Sequence, residues 1–304
     1  ASEPDGSFAR STAPVEGVFY FARKEAVTLR KLKKYKPTRF MSEDSHYDKD
    51  AADHAVCFIE KFCCHTKGTW DGKPFELIDW QEQIIRDIFG ILKPNGYRQF
   101  NTAYIEIPKK QGKSELAAAV ALYLLCADFE PGAEVYGCAA DKDQARIVFD
   151  VAMDMVKRCP HLFNKMSIQA SLKTMSYLPT GGKYKALSAD VANKHGFNTH
   201  GVIFDELHTQ PNRKLYDVML QGSGDARMQP LYFLITTAGN NQNSICWEVH
   251  QKALDIIDGR KHDPTFYPVI YGAAPEDDWT DPKVWKKANP SLGITVSIDK
   301  VKAA

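Results

Sequence analysis

The chain has 304 residues, enough for one large α/β domain or two modest ones. Hydrophobic residues make up 44% and charged residues 25%, a globular composition that excludes a disordered or fibrous chain. The net charge of +1 excludes a strong overall field for nucleic acid and leaves only a local basic surface.

Residues 1–15 are small and polar, with Pro4, Gly6 and Pro14, and read as a flexible arm. "FYFARKEAVTLRKLKKYK" follows with helical character and a basic face, read as a solvated face or as a DNA contact. In "DKDAADHAVCFIEKFCCHT" the residues Ala52, Ala55, Val56, Ile59, Phe62 and Cys63 recur every three or four positions, which predicts an amphipathic helix. "KGTWDGKPF" is a turn-rich break, and "DWQEQIIRDIFGIL" predicts another helix with Asp79 as its N-cap.

A regular alternation comes next. "TAYIEI" (102–107) reads as a strand, followed by a helix from Lys113 to about Asp128. "AEVYGCA" (133–139) is a strand and "KDQARIVFDVAMDMVKRC" (142–159) a helix. "KYKALS" (183–188), "GVIFDE" (201–206) and "PLYFLITTA" (230–238) are strands; "SICWEVHQKALDIIDG" (244–259) is a helix and "FYPVIYG" (266–272) a strand. Strands alternating with helices predict an α/β fold, a mostly parallel sheet with helices on both faces. The tail 273–304 is rich in proline and charge and reads as the start of a linker.

The seven cysteines are odd in number and form no C-x-x-C pair, which points to a reducing compartment. The Cys63-Cys64-His65 cluster lacks a second ligand pair, so packing is preferred to zinc. The longest uncharged apolar run, "LAAAVALYLLCA", has 12 residues against the roughly 20 that span a bilayer, so a soluble protein with a buried helix is expected.

"IPKKQGKSELA" (107–117) carries the first chemical signal. A phosphate loop usually reads G-x-x-x-x-G-K followed by Ser or Thr; here Gly112, Lys113 and Ser114 supply the end, and Ile107 stands at the first glycine position. The order strand, tight turn, helix is the one that points backbone N–H groups and a helix dipole at phosphate. Gly112 admits close backbone approach, Lys113 reaches the outer phosphates, and the Ser114 hydroxyl can ligate Mg²⁺. In "GVIFDELH" an apolar run ends in two acids: Asp205 would hold Mg²⁺ through water and Glu206 would deprotonate the attacking water. "LITTAG" ends a strand in Thr236 and Thr237, candidates for sensing the γ-phosphate, although threonine also simply favours strands. In "DWQEQ", Gln81 lies where an adenine-reading glutamine would stand, and Trp80 could stack or pack.

Together these stretches resemble the large subunit of tailed-bacteriophage terminases, the DNA-packaging motor. The resemblance runs from about residue 50 to 294 and rests on "TKGTWDGKPFELIDWQEQIIRDIFG", "YRQFNTAYIEIPKKQGKSELAAAVALYLL", "CAADKDQARIVFD", "HGFNTHGVIFDELHT", "LITTAGN" and "WTDPKVWKKANPSLG" in this order. It implies a P-loop NTPase of the RecA-like, additional-strand Asp-Glu type, with an N-terminal helical segment. It implies an arm and helical lid segment over 1–75, an ATPase core over 76–272 and, over 273–304, a linker toward a nuclease that the sequence does not reach. Members commonly lack the first loop glycine and carry an arginine three residues before the second; here Lys109 keeps the charge and loses the bidentate fork. The implied ATP-binding set is Trp80, Gln81, Lys109, Lys110, Gln111, Gly112, Lys113 and Ser114, with Mg²⁺ at Ser114 and Asp205. A ring motor would also want an arginine in trans: Arg146, with Arg158 and Arg227 competing. The implied partners are double-stranded DNA, the portal and procapsid, the small subunit and further copies in a ring, in the host cytoplasm. A helicase-type translocase and a nucleotide-gated assembly protein are the rival readings.

Overall fold

The computed structural model describes residues 35–189 and 196–303. The expected arm over 1–15 and nearly all of the basic helical segment lie outside the described residues.

A short strand β1 (His46–Tyr47) leads into helix α1 (Lys49–Phe62). Asp48 caps α1, its carboxylate accepting the Asp50 and Ala51 amides. The helix stops at Phe62, short of the predicted extent. Cys63 turns extended, its carbonyl accepts the Phe75 amide, and Cys64 bridges to Pro74. Helix α2 (Asp79–Gly90) starts one residue earlier in its cap than predicted. Ile78 is the N-cap, Asp79 the first helical residue, and Gln81 Oε1 accepts the Ile78 amide at 3.2 Å. Gly90 is the last residue of α2, and glycine is needed there because a Cβ would lie 2.6 Å from Ala52 Cβ. The chain then leaves as β2 (Ile91–Leu92), antiparallel to β1.

The main sheet takes β3 (Thr102–Glu106), β4 (Glu134–Ala139), β5 (Met166–Gln169), β6 (Thr174–Tyr177), β7 (Gly182–Ser188), β8 (Gly201–Asp205), β9 (Leu231–Thr236) and β10 (Phe266–Ile270). Its order is β10-β3-β9-β8-β4-β7-β6-β5. The six strands from β10 to β7 are parallel; β6 and β5 add on antiparallel. Strand β9 lies between β3 and β8, which is the additional strand of the expected topology. Strands β5 and β6 were not predicted.

Between the strands run α3 (Lys113–Cys126), α4 (Lys142–Arg158), the short α5 (Pro160–Phe163), α6 (Lys214–Gln221, not predicted) and α7 (Ile245–Ile257). Helix α3 is apolar all round, and everything from Leu116 to Cys126 is buried, as a helix clasped on several sides must be. Gly201 lets it approach, since a Cβ there would meet Leu124 Cδ1 at 2.7 Å. The period of two in a strand puts Ile203 and Asp205 on that same α3 face. The other face carries Val202, Phe204, Tyr232 and Leu234, which form a core with Leu215, Met219, Ile245, Val249 and Ala253 of α6 and α7.

At the far end of the sheet from the loop sits a buried charge cluster. Asp128 accepts from the two terminal guanidinium nitrogens of Arg98, and His200 Nε2 lies 2.6 Å from its Oδ2. Burial opposes the Asp128 charge, but Arg98 and His200 outweigh it and hold the carboxyl below its usual range.

Candidate active site

The phosphate loop hangs between β3 and α3. The Ile107 amide bonds the Thr236 carbonyl at 3.0 Å, so β3 and β9 stay paired one residue past Glu106. Lys110 (φ 68) and Gly112 (φ 86) are left-handed, and such alternation turns successive backbone N–H groups toward one concavity. Gly112 is both the N-cap of α3 and packed against Gln81, whose Nε2 would be 3.4 Å from a Cβ there. The loop thus ends on the positive end of a buried helix.

Four side chains converge beside it. Lys113 is 6% exposed, and its ammonium lies 3.4 Å from Glu206 Oε1 and 3.2 Å from the Pro108 carbonyl. Ser114 Oγ donates to Asp205 Oδ2 at 2.9 Å. Asp205 Oδ1 is buried with no hydrogen-bond partner. Burial pushes the Asp205 carboxyl up to about 6, the Glu206 charge adds to this, and Ser114 and Lys113 oppose it. A hydroxyl beside an orphaned carboxylate oxygen is a donor set for a hard cation that keeps waters or takes substrate oxygens. Among the described residues no group of three or more His, Cys, Asp or Glu is placed to hold a metal ion.

Glu206 does not continue β8 as predicted. It is left-handed (φ 56, ψ 57), with its amide on the Ile235 carbonyl, and this turn swings its carboxylate across to β9. Its Oε2 accepts the Thr237 amide and hydroxyl, both at 3.1 Å, and His208 Nδ1 lies 3.2 Å away. His208 Nδ1 is also 3.0 Å from Thr236 Oγ1. Thr209 Oγ1 ties the Glu206 carbonyl at 2.8 Å and meets Gln144 of α4 at 3.3 Å.

The tail 273–304, expected to begin a linker, instead folds back on the loop over its described residues, 273–303, and includes helices α8 (Pro282–Ala288) and α9 (Ile298–Lys302). Gln111, fully buried, donates to Asn289 Oδ1 at 3.0 Å and accepts the Ser291 amide at 3.0 Å. Thr295 Oγ1 donates to the Lys110 carbonyl at 3.1 Å. Trp80 donates its indole N–H to Ser291 Oγ at 2.9 Å.

The model of the family described as terminase large subunit, ATPase domain, matches residues 79–254, more than half of the chain. This chain belongs to that terminase family. It is 29% identical to the terminase large subunit of Enterobacteria phage HK97 over 245 residues, covering 79% of this chain and 46% of that protein. The crystal structure of the HK97 large terminase superposes with a TM-score of 0.71 at 26% identity, covering 83% of this chain and 50% of that one. A Thermus phage large terminase ATPase domain variant gives a TM-score of 0.51 at 19% identity, covering 69% of this chain and 86% of that one, a likeness of fold alone. The chain thus spans about half the length of the HK97 protein it matches.

Within this terminase ATPase fold the remaining predicted residues divide. Lys109 is exposed at the loop's entry. Lys110 is exposed and offers its backbone to the tail, while the Gln111 side chain is turned to the tail and leaves only its backbone for the loop. Trp80 packs, one of the two roles the sequence offered: it is 6% exposed, bonded to Ser291 and edge-on to Tyr271. Arg227 is bound by Glu130, Asn198 and two carbonyls, a structural clamp and not a free finger. Arg158 pairs with Asp71, and Arg146, half exposed, pairs with Asp150 one turn along α4. His208, Gln144 and Ser291 were missed. His208 stands two residues past Glu206, and that adjacency was the one available signal.

Proposed function

We propose that this chain binds ATP with Mg²⁺ and hydrolyses it, and that a terminase large subunit containing it uses the turnover to drive double-stranded DNA into a procapsid. The observation that carries the reading is the convergence of Lys113, Ser114, Asp205 and Glu206 on one side of a left-handed loop at a helix N-terminus. The family's description supports the ATPase part, and the HK97 likeness supports the motor.

The loop amides and the α3 dipole receive the phosphates. The Lys113 ammonium, now spread over Glu206 and two carbonyls, moves to the bridging and terminal phosphate oxygens and releases Glu206 Oε1. Ser114 and Asp205 would hold the metal, Asp205 through water, and the orphaned Oδ1 would gain a partner. When bound, Mg²⁺ neutralises charge on the phosphates. Glu206 orients the attacking water and takes its proton as the terminal phosphoryl transfers, giving ADP and phosphate. Thr236 and Thr237, bonded to Glu206 or to His208, carry the change into β9.

The exposed Arg146 is the arginine proposed to reach a neighbouring subunit's site, since an exposed pair one helix turn apart is weak and easily exchanged. The portal, small subunit, ring assembly and host cytoplasm complete the proposal. Among the described residues no helix is long and apolar enough to cross a membrane. Phosphate release measured with and without DNA and capsid partners tests the reading. Absence of turnover under every condition, with Lys113→Ala binding nucleotide as well as the wild type, would reject it.

A further inference from the structure

We propose that His208 is a positioning residue for hydrolysis, which fixes the Glu206 carboxylate against the end of β9 and so decides which of its oxygens serves as base. This rests on the reading of Glu206 as the base. Nδ1 lies 3.2 Å from Oε2, and because a carboxylate only accepts, a proton on Nδ1 is the arrangement that favours this approach. Thr236 Oγ1 donates to the Thr237 carbonyl at 2.9 Å, which leaves its lone pairs for the His208 amide at 3.2 Å and for Nδ1 at 3.0 Å. Thr237 Oγ1, 3.3 Å from Nδ1, gives its proton to Oε2, so an Nδ1–H suits all three neighbours.

The backbone is built to deliver the ring there. The left-handed Glu206 feeds a short turn, Leu207–Thr209, that brings residue 208 back over residue 206. Gly239 makes room, since a Cβ there would sit 3.0 Å from His208 Cβ. A ring serving only to cap the turn would be satisfied by Thr236 alone. Instead Oε2 accepts the Thr237 amide and hydroxyl with Nδ1 3.2 Å away, while Oε1 faces Lys113. Once phosphate draws Lys113 away, Oε1 is the oxygen left for water.

The test compares steady-state ATP hydrolysis by three variants whose folding is checked by thermal melting. His208→Ala should lower kcat on the order of 10–100-fold with little change in KM, as misplacement of a reacting group does. His208→Asn puts an amide N–H near the Nδ1 position and should recover most of the loss. His208→Gln places its donor one bond farther out and should recover little. Unchanged kcat in His208→Ala, or Asn no better than Gln, overturns the inference. Long-range proton–nitrogen spectra of the wild-type protein give a readout that needs no turnover: a protonated Nδ1 is expected, and a bare Nδ1 overturns the inference. A wild-type protein that shows a protonated Nδ1 yet never hydrolyses ATP would sink the proposed function and leave this hydrogen-bond arrangement standing, without its catalytic purpose.

Discussion

Ser114 Oγ and Asp205 Oδ2 are 2.9 Å apart although 91 residues separate them in sequence. This one bond joins the first turn of α3 to the last residue of β8, across the strand β9 that lies between β8 and β3. The predictions start from that junction.

Comparing two charge removals should separate binding from chemistry. Lys113→Ala should abolish turnover and weaken nucleotide binding. Glu206→Gln keeps the shape but cannot accept the proton, so it should bind Mg-ATP and lose about 10²–10⁴-fold in kcat. Fluorescent-nucleotide titration and phosphate release measure the two halves. If Glu206→Gln lost affinity while Asp205→Asn kept both metal and turnover, the two acids would have exchanged roles.

The pH dependence follows from Asp205. Its folded value is raised from 3.8 to about 6, so the folded state favours the protonated form. The stability this gives is present in full below pH 3.8 and is lost as pH rises through about 6, a total of about 3 kcal/mol. Metal-free Asp205→Asn should therefore melt higher than the wild type at pH 7.5 and close to it at pH 4. Mg²⁺-dependent nucleotide affinity should fall as pH drops below about 6, because protonated Asp205 is a poor partner for a cation. Calorimetry across that range checks both signs.

Arg98→Ala should destabilise the fold without touching the site. It strips the buried Asp128 of its guanidinium, and breaking a buried pair costs about 3–5 kcal/mol. Urea denaturation should show the loss, and the residual folded protein should keep its nucleotide affinity. A loss below about 1 kcal/mol would mean that His200 alone satisfies Asp128.

Turnover should depend on neighbours. If Arg146 completes a site in trans, specific activity rises with protein concentration, and excess Lys113→Ala protein raises turnover per active wild-type site. An arginine of that kind is worth about 10³–10⁵ in rate in other nucleotidases. Arg146→Ala protein used as the excess component should fail to stimulate. Activity flat across a hundredfold dilution series would place the whole site in one subunit.

The sequence showed the loop and the acid pair because both lie at junctions between an apolar run and a sudden polar residue. Leu116–Cys126 could only be a buried helix, and Gly201–Phe204 only a buried strand, so Gly112, Lys113, Ser114, Asp205 and Glu206 had to fall at their ends. Strands β5 and β6 escaped because "MSIQ" and "TMSY" are short, mix polar with apolar residues and lie at the sheet edge. The tail escaped for another reason. "DPKVWKKANPSLG" has the composition of a linker, and nothing local says that Ser291 will meet a tryptophan 211 residues earlier. His208 was in view, but its role depends on the left-handed turn at Glu206, and a glutamate gives no advance notice of that conformation.

The loop between β3 and α3 is held by Asn289, Ser291 and Thr295 of the tail, and the same loop is the one proposed to receive nucleotide. Two occupants thus share one small piece of backbone, and thermodynamic linkage makes their effects mutual. Whatever free energy nucleotide adds to or removes from the tail's hold, detaching the tail must return to nucleotide affinity in equal measure. If nucleotide binds this loop as proposed and its binding alters the tail's hold, a mechanical load applied beyond Thr295 acts as an effector of that site, and tension becomes a quantity that the loop can read.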